Sequence, residues 1–186
     1  MLRDSGTPIS HARHPSDPAT LAIAGVIAES LRIERLPLIR GLSEGCFQKL
    51  LQEYFEDLAY ANGSASPREA RHGGFDAYDE FDEIVELLLE HRASNREQET
   101  WLAYAIATAA MGNNHLWQDL GLPSRSVLSA LMTTHFPSLA AKNKGDMKWK
   151  KFFYRQLCER AGVPICKSPH CADCCDYRIC FGPEDS

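Results

Sequence analysis

The residues able to do chemistry are gathered in one run, CERAGVPICKSPHCADCCDYRICFG at 158–182, which holds six of the seven cysteines. Four of them, Cys166, Cys171, Cys174 and Cys180, are spaced C-x4-C-x2-C-x5-C. Thiolates a few residues apart can face one centre if the backbone between them turns, and Pro164, Pro169, Gly182 and Pro183 make or allow such turns. Three things could be wrapped this way: disulfides, a zinc ion or an iron-sulfur cluster. Disulfides sit badly with an odd count of seven. They also need an oxidising compartment, whereas the N-terminus, MLRDSGTPISHARHPSDP, has no apolar signal core and points to a reducing, cytoplasmic setting. Zinc sites most often join two C-x2-C knuckles from separate places, and only one such pair, Cys171 and Cys174, is present. Short unequal gaps suit an iron-sulfur centre, whose several irons give successive thiolates separate attachment points. Spacing thus favours a cluster and leaves zinc open. Cys166, Cys171 and Cys174 also match the C-x4-C-x2-C of plant-type two-iron ferredoxins, but those domains are rich in β-structure and this chain reads as helical.

Other donors surround this set. Cys175 lies inside the motif but outside its spacing and could substitute for Cys174. Cys158 sits beside Leu157 as a packing thiol, and Cys46 borders an amphipathic stripe, a structural position. His170 stands between two motif cysteines, where filling a turn is the simpler role than binding metal. Lys144, Lys148, Lys151 and Arg155, at steps of four, three and four, place positive charge along one face of the preceding helix, and Lys167 extends it. A solvated helix face accounts for them as well as a functional basic edge does.

These side chains have to be positioned by the rest of the chain. With 44% apolar and 24% charged residues, 186 residues are enough for one domain with a core and a tail. The net charge of -5 is unevenly spread: residues 1–140 hold 11 basic and 19 acidic side chains, residues 141–186 hold 9 and 6. The thiol-rich end is the basic end. Residues 1–16 read as a flexible N-terminal arm, 17–162 as a helical domain, and 163–186 as an irregular cysteine-rich loop and tail. Asp17 and Pro18 start a helix that is apolar nearly all round. Ser43 caps a second, whose stripe runs Phe47, Leu50, Leu51, Tyr54, Phe55 and Leu58.

Residues 62–74, NGSASPREARHGG, read as a loop. A helix with Asp79, Glu80, Asp82 and Glu83 in its opening turn follows, closing near His91 and Arg92; the acidic run is a solvated helix start rather than a metal site. Asn95 opens the next, which carries Trp101, Leu102, Ala105, Ile106 and Ala109. A short helix over 113–121 and one capped by Ser124 come next. The last, MKWKKFFYRQLCERAG, turns Trp149, Phe152, Phe153 and Leu157 to one face, with Gly162 as its C-terminal cap. The expected fold class is all-α, a bundle of about six or seven helices with an irregular C-terminal cysteine-rich metal-binding loop. No apolar run approaches the ~20 residues that cross a bilayer.

HLWQDLGL at 115–122, HFPSLAAKN at 135–143, MKWKKFFYRQLC at 147–158 and the closing cysteine motif together resemble the NifQ family of nitrogen-fixing bacteria, strongly over about residues 100–182. The resemblance implies an iron-sulfur protein, with a 4Fe-4S or Mo-3Fe-4S cluster, that carries molybdenum and supplies it to assembly of the nitrogenase iron-molybdenum cofactor. Its implied metal ligands are Cys166, Cys171, Cys174 and Cys180. Its implied partners are the nitrogenase cofactor scaffold complex (NifEN) and the nitrogenase iron protein (NifH). His115 and His135 lie in the resembling segments as core or capping residues or, alternatively, as molybdenum contacts. A metallocluster carrier and not an enzyme is expected, since no Gly-rich phosphate loop, nucleophile elbow or H-E-x-x-H occurs. The alternatives are a zinc-stabilised interaction domain and a simple electron-transfer iron-sulfur protein. An acidic total with no stacking aromatics among the loop's cations argues against nucleic acid as a partner.

Overall fold

A hydroxyl or carboxylate just ahead of an apolar periodic run can accept from the unpaired N–H groups of a first helical turn. The computed structural model describes residues 7–63, 80–163 and 174–184. Its described elements are a 3-10 turn (Pro8–His11), α1 (Pro18–Arg32), α2 (Glu44–Tyr54), α3 (Glu80–Glu90), α4 (Glu97–Ala110), α5 (Leu116–Asp119), α6 (Arg125–His135), α7 (Pro137–Ala140), α8 (Trp149–Ala161) and α9 (Tyr177–Phe181). Three caps work as their positions predict. Asp17 accepts from the Thr20 N–H at 2.9 Å, Ser43 from Cys46 at 3.3 Å and Ser124 from Val127 at 3.4 Å. Gly162 closes α8 with φ 66°, the left-handed cap that glycine adopts without strain.

The fold is all-α among the described residues, with two short helices beyond those expected: α7, a single turn opened by Pro137, and α9, inside the stretch read as irregular. The second helix ends earlier than its stripe suggests. Phe55 leaves α2 with φ -130° and ψ 158° and pairs with Ala12 in an isolated antiparallel bridge. The Arg13 N–H reaches the Tyr54 carbonyl at 2.9 Å and the Glu56 N–H reaches His11 at 2.8 Å, so residues 8–13 of the expected arm are tied to the end of α2. Phe55 is buried outside the helix, beside this bridge, so its apolar character does not prolong α2 as helical spacing alone suggests.

The core centres on α4, where Trp101, Leu102, Ala103, Ala105, Ile106, Ala107, Ala109 and Ala110 are all buried. Helices α1, α2 and α3 pack around it. Small residues let backbones approach: a Cβ at Gly25 of α1 would lie 2.2 Å from the Leu120 carbonyl oxygen at the end of α5. That contact fixes the short α5 turn against α1. Asn62 is fully buried; it accepts from the Ile39 N–H at 2.8 Å and donates to the Ile39 and Leu42 carbonyls at 2.9 and 2.8 Å. Among the described residues no helix is long and apolar enough to cross a membrane.

Candidate metal centre

The cysteine-bearing end is presented by α8, an unusually aromatic helix. Trp149, Phe152 and Phe153 pack against one another with ring centroids 5.7–6.4 Å apart and enter the core nearly completely. The same helix turns Lys150 inward. Its ammonium lies 2.5 Å from the Asp119 carboxylate and donates to the Gly112 carbonyl at 2.8 Å. Asp119 also accepts from Asn114. This buried pair ties α8 to the α4–α5 turn, and a lysine among four other cations in KNKGDMKWKK gives no sign of it in sequence.

After α8 the described chain resumes at Cys174. The Cys174 and Cys175 thiols and the Asp176 carboxylate offer ligand atoms all within 4.8 Å of one another, immediately ahead of α9. Cys174 is half-buried and Cys175 exposed. Cys180 sits on α9, outside that three-atom group. Its carbonyl accepts from the Lys148 N–H at 2.8 Å, which docks α9 at the start of α8. Phe181 stacks on Tyr177 at 4.7 Å and presses on Gly145, where a Cβ would stand 3.1 Å from the ring. Cys166, Cys171, His170 and Lys167 lie outside the described residues. Of the four cysteines in the spaced motif, the described geometry therefore positions Cys174 and Cys180, and it adds Cys175 and Asp176 beside the first. Asp176 carries no spacing signal of its own; only its adjacency to two thiols could have flagged it.

Cys158 is half-buried on α8 and its carbonyl accepts from Val163 at 3.0 Å, while Cys46 packs against the core from α2. The basic residues divide. Lys144 and Arg155, with Lys142, Asn143 and Phe181, line an open cleft of about 570 Å³ between α8 and α9, whereas Lys148 and Lys151 do not line it. Arg155 is held by Glu159 at 2.8 Å.

Among the described residues, His115 and His135 each meet an acidic partner. His115 Nδ1 lies 3.6 Å from Glu184, which also meets Arg125 at 3.3 Å. His135 Nδ1 lies 3.9 Å from Glu99, a buried carboxylate held by Arg96 at 2.8 Å. Burial pushes His135 below its usual value against the opposing pull of Glu99. For Glu99 burial alone would raise the carboxyl, but hydrogen bonds from Arg96 and its surroundings win and hold it below the usual range. His91 is lowered by burial and by the neighbouring Lys142 ammonium.

An all-helical body with a cysteine-bearing C-terminal segment docked on its basic edge is the class that fold and site define. The particular family follows from comparison with known proteins. A sequence model of the NifQ family matches residues 22–182. Among curated relatives, Protein NifQ of Azotobacter vinelandii is 40% identical over 157 residues, 80% of each chain. Protein NifQ of Rhodobacter capsulatus is 46% identical over 103 residues, 55% of this chain and 57% of that one. Protein NifQ of Klebsiella pneumoniae is 49% identical over 81 residues, 43% and 48% of the two chains. The chain belongs to the NifQ family. No solved structure matches it.

Proposed function

We propose that the chain is a molybdenum carrier for nitrogenase iron-molybdenum cofactor assembly, holding its cargo on an iron-sulfur cluster at the C-terminal cysteines. Family membership supports the setting in nitrogen fixation. The observation that carries the chemistry is the convergence of Cys174, Cys175 and Asp176 within 4.8 Å, with Cys180 one short helix away. Thiolates are soft donors suited to iron bridged by sulfide, and the adjacent carboxylate adds an oxygen donor. Three thiolates on three irons leave one corner of a cube for molybdenum; four would complete an all-iron cube. Cys166 and Cys171 complete the proposed ligand set, and either Cys174 or Cys175 serves at the third position, since neighbouring thiols do not readily reach one corner together.

The remaining residues bind and orient rather than react, so the chain acts as a donor without turnover on a small substrate. Molybdenum reaches cells as an oxyanion, and the positive cleft edge made by Lys142, Lys144 and Arg155 raises its local concentration beside α9. The recipients, by family resemblance, are the cofactor scaffold complex and the nitrogenase iron protein. The test is iron, sulfide and molybdenum analysis of protein purified without oxygen. Iron, acid-labile sulfide and molybdenum found together, and their loss when Cys166, Cys171, Cys174 and Cys180 become serine, support the reading. One zinc per chain with no sulfide overturns it in favour of a zinc-stabilised interaction domain. A cluster that reduces reversibly and takes no molybdenum overturns it in favour of electron transfer.

A further inference from the structure

We propose that His115 and Arg125 form an oxyanion-binding cradle which the chain's own Glu184 carboxylate occupies in this state, so that a tetrahedral oxyanion and the C-terminal tail compete for it. The Glu184 side chain is only 5% exposed. A carboxylate gives up water that completely only where positive charge receives it. Arg125 supplies that charge from the start of α6 and is itself only 19% exposed. Asp146 orients the guanidinium: Nη2 donates to its carbonyl at 2.6 Å and to its carboxylate at 3.0 Å. Nη1 faces Glu184, and the buried Nε has no hydrogen-bond partner among the described residues. His115, the residue ahead of α5, flanks the same oxygen.

The fit of Glu184 is loose. Its oxygen stands 3.3 Å from Arg125 and 3.6 Å from His115, whereas charge-assisted hydrogen bonds close to about 2.7–2.9 Å. One carboxylate oxygen thus stands beyond close hydrogen-bond distance of both Arg125 Nη1 and the His115 ring, while the buried Arg125 Nε has no partner among the described residues. A tetrahedral oxyanion offers acceptors in several directions and can reach such donors together. The cradle is built for more acceptors than the tail provides.

Displacement has a structural consequence. The contacts that hold residues 180–184 include the Cys180 carbonyl on the Lys148 N–H, the Phe181 ring on Gly145 at the cleft, and Glu184 in the cradle. An arriving oxyanion removes the last of these and loosens the segment that carries Cys180. The choice of molybdate as the physiological occupant rests on the carrier reading; the cradle itself does not.

The test uses the full chain with Cys166, Cys171, Cys174 and Cys180 all replaced by serine, which removes thiol binding. Equilibrium dialysis measures affinity for molybdate and, separately, sulfate. Glu184→Gln is expected to tighten binding about tenfold by removing the internal competitor, and Arg125→Gln to abolish it. Oxyanion is also expected to speed carboxypeptidase trimming of the parent chain, but not of Glu184→Gln, whose tail is already released. A gain with either oxyanion supports the cradle, and its restriction to molybdate assigns the selectivity. Unchanged affinity in Glu184→Gln, or trimming indifferent to oxyanion, overturns the proposal even if Arg125→Gln fails to fold. Because thiols are absent, that failure leaves the cluster reading intact; a native chain that holds zinc without sulfide leaves the cradle intact.

Discussion

The α4-centred core and the C-terminal edge are held in opposite ways. Around α4, apolar side chains close on every side, and Ile84, Leu88, Leu102, Ile106 and Phe153 retain no exposed surface. At the edge, α9 buries no residue completely, and the contacts that dock it and the residues after it include the Lys148–Cys180 peptide hydrogen bond, the Phe181 ring on Gly145 and the pairing of Glu184 with Arg125 and His115. Stability belongs to the first region and adaptability to the second: on the proposed carrier reading, light anchoring suits this segment, because metal-binding free energy would supply the ordering.

That contrast can be broken or sharpened by substitution. Phe153→Ala empties the centre of the aromatic cluster and is expected to cost about 3–5 kcal/mol in denaturant unfolding. Lys150→Met leaves the buried Asp119 carboxylate without its cation and is expected to cost about 2–4 kcal/mol; a neutral outcome would mean Asn114 alone satisfies that group. Gly25→Ala drives a methyl into the Leu120 carbonyl and should cost about 1–3 kcal/mol, whereas Gly45→Ala, with nothing within 4 Å, should be neutral or slightly stabilising.

A smaller effect is expected from pH. His135 has a folded-state value below its usual ~6.5, so the folded protein binds fewer protons than the unfolded chain as pH falls through that window. Stability is therefore expected to decline on acidification from about pH 6.5, and His91 adds in the same direction. Glu99, with its value lowered, contributes stability present above about 4.5 and lost as pH falls further. Thermal unfolding of His135→Gln between pH 5 and 7 should show a shallower slope than the parent; an unaltered slope would assign the dependence elsewhere. The smallest effect on stability belongs to the cysteines. Replacing Cys166, Cys171, Cys174 and Cys180 by serine in the metal-free chain should leave the melting midpoint within a few degrees, while iron binding falls to nothing.

What the sequence made legible follows the same division. Local rules located three helix starts, because Asp17, Ser43 and Ser124 act on N–H groups three residues away, whereas α4 begins at Glu97 with Arg96 and not Asn95 as its N-cap and no side-chain cap bond. They located Gly162 for the same reason. Features joining distant residues escaped: Asn62 reads as part of a polar loop yet is fully buried, since its partners Ile39 and Leu42 lie some twenty residues back. Lys150 reads as one more surface cation, and its partner Asp119 is 31 positions away. Phe55 obeys a helical period that the crossing by Ala12 interrupts. At the site, the spacing singled out Cys174 and Cys180, but the turn that sets Cys175 and Asp176 beside Cys174 depends on local backbone geometry that spacing does not encode.

The Lys148 amide stands just ahead of α8, where first-turn N–H groups have no partner within their own helix, and the Cys180 carbonyl meets it from 32 positions further along. Because both ends of that bond are main chain, it survives a change of either side chain. Its deuterium uptake is thus a clock for undocking of the thiol-bearing segment, readable at a single site by nuclear magnetic resonance and comparable between metal-free and loaded protein.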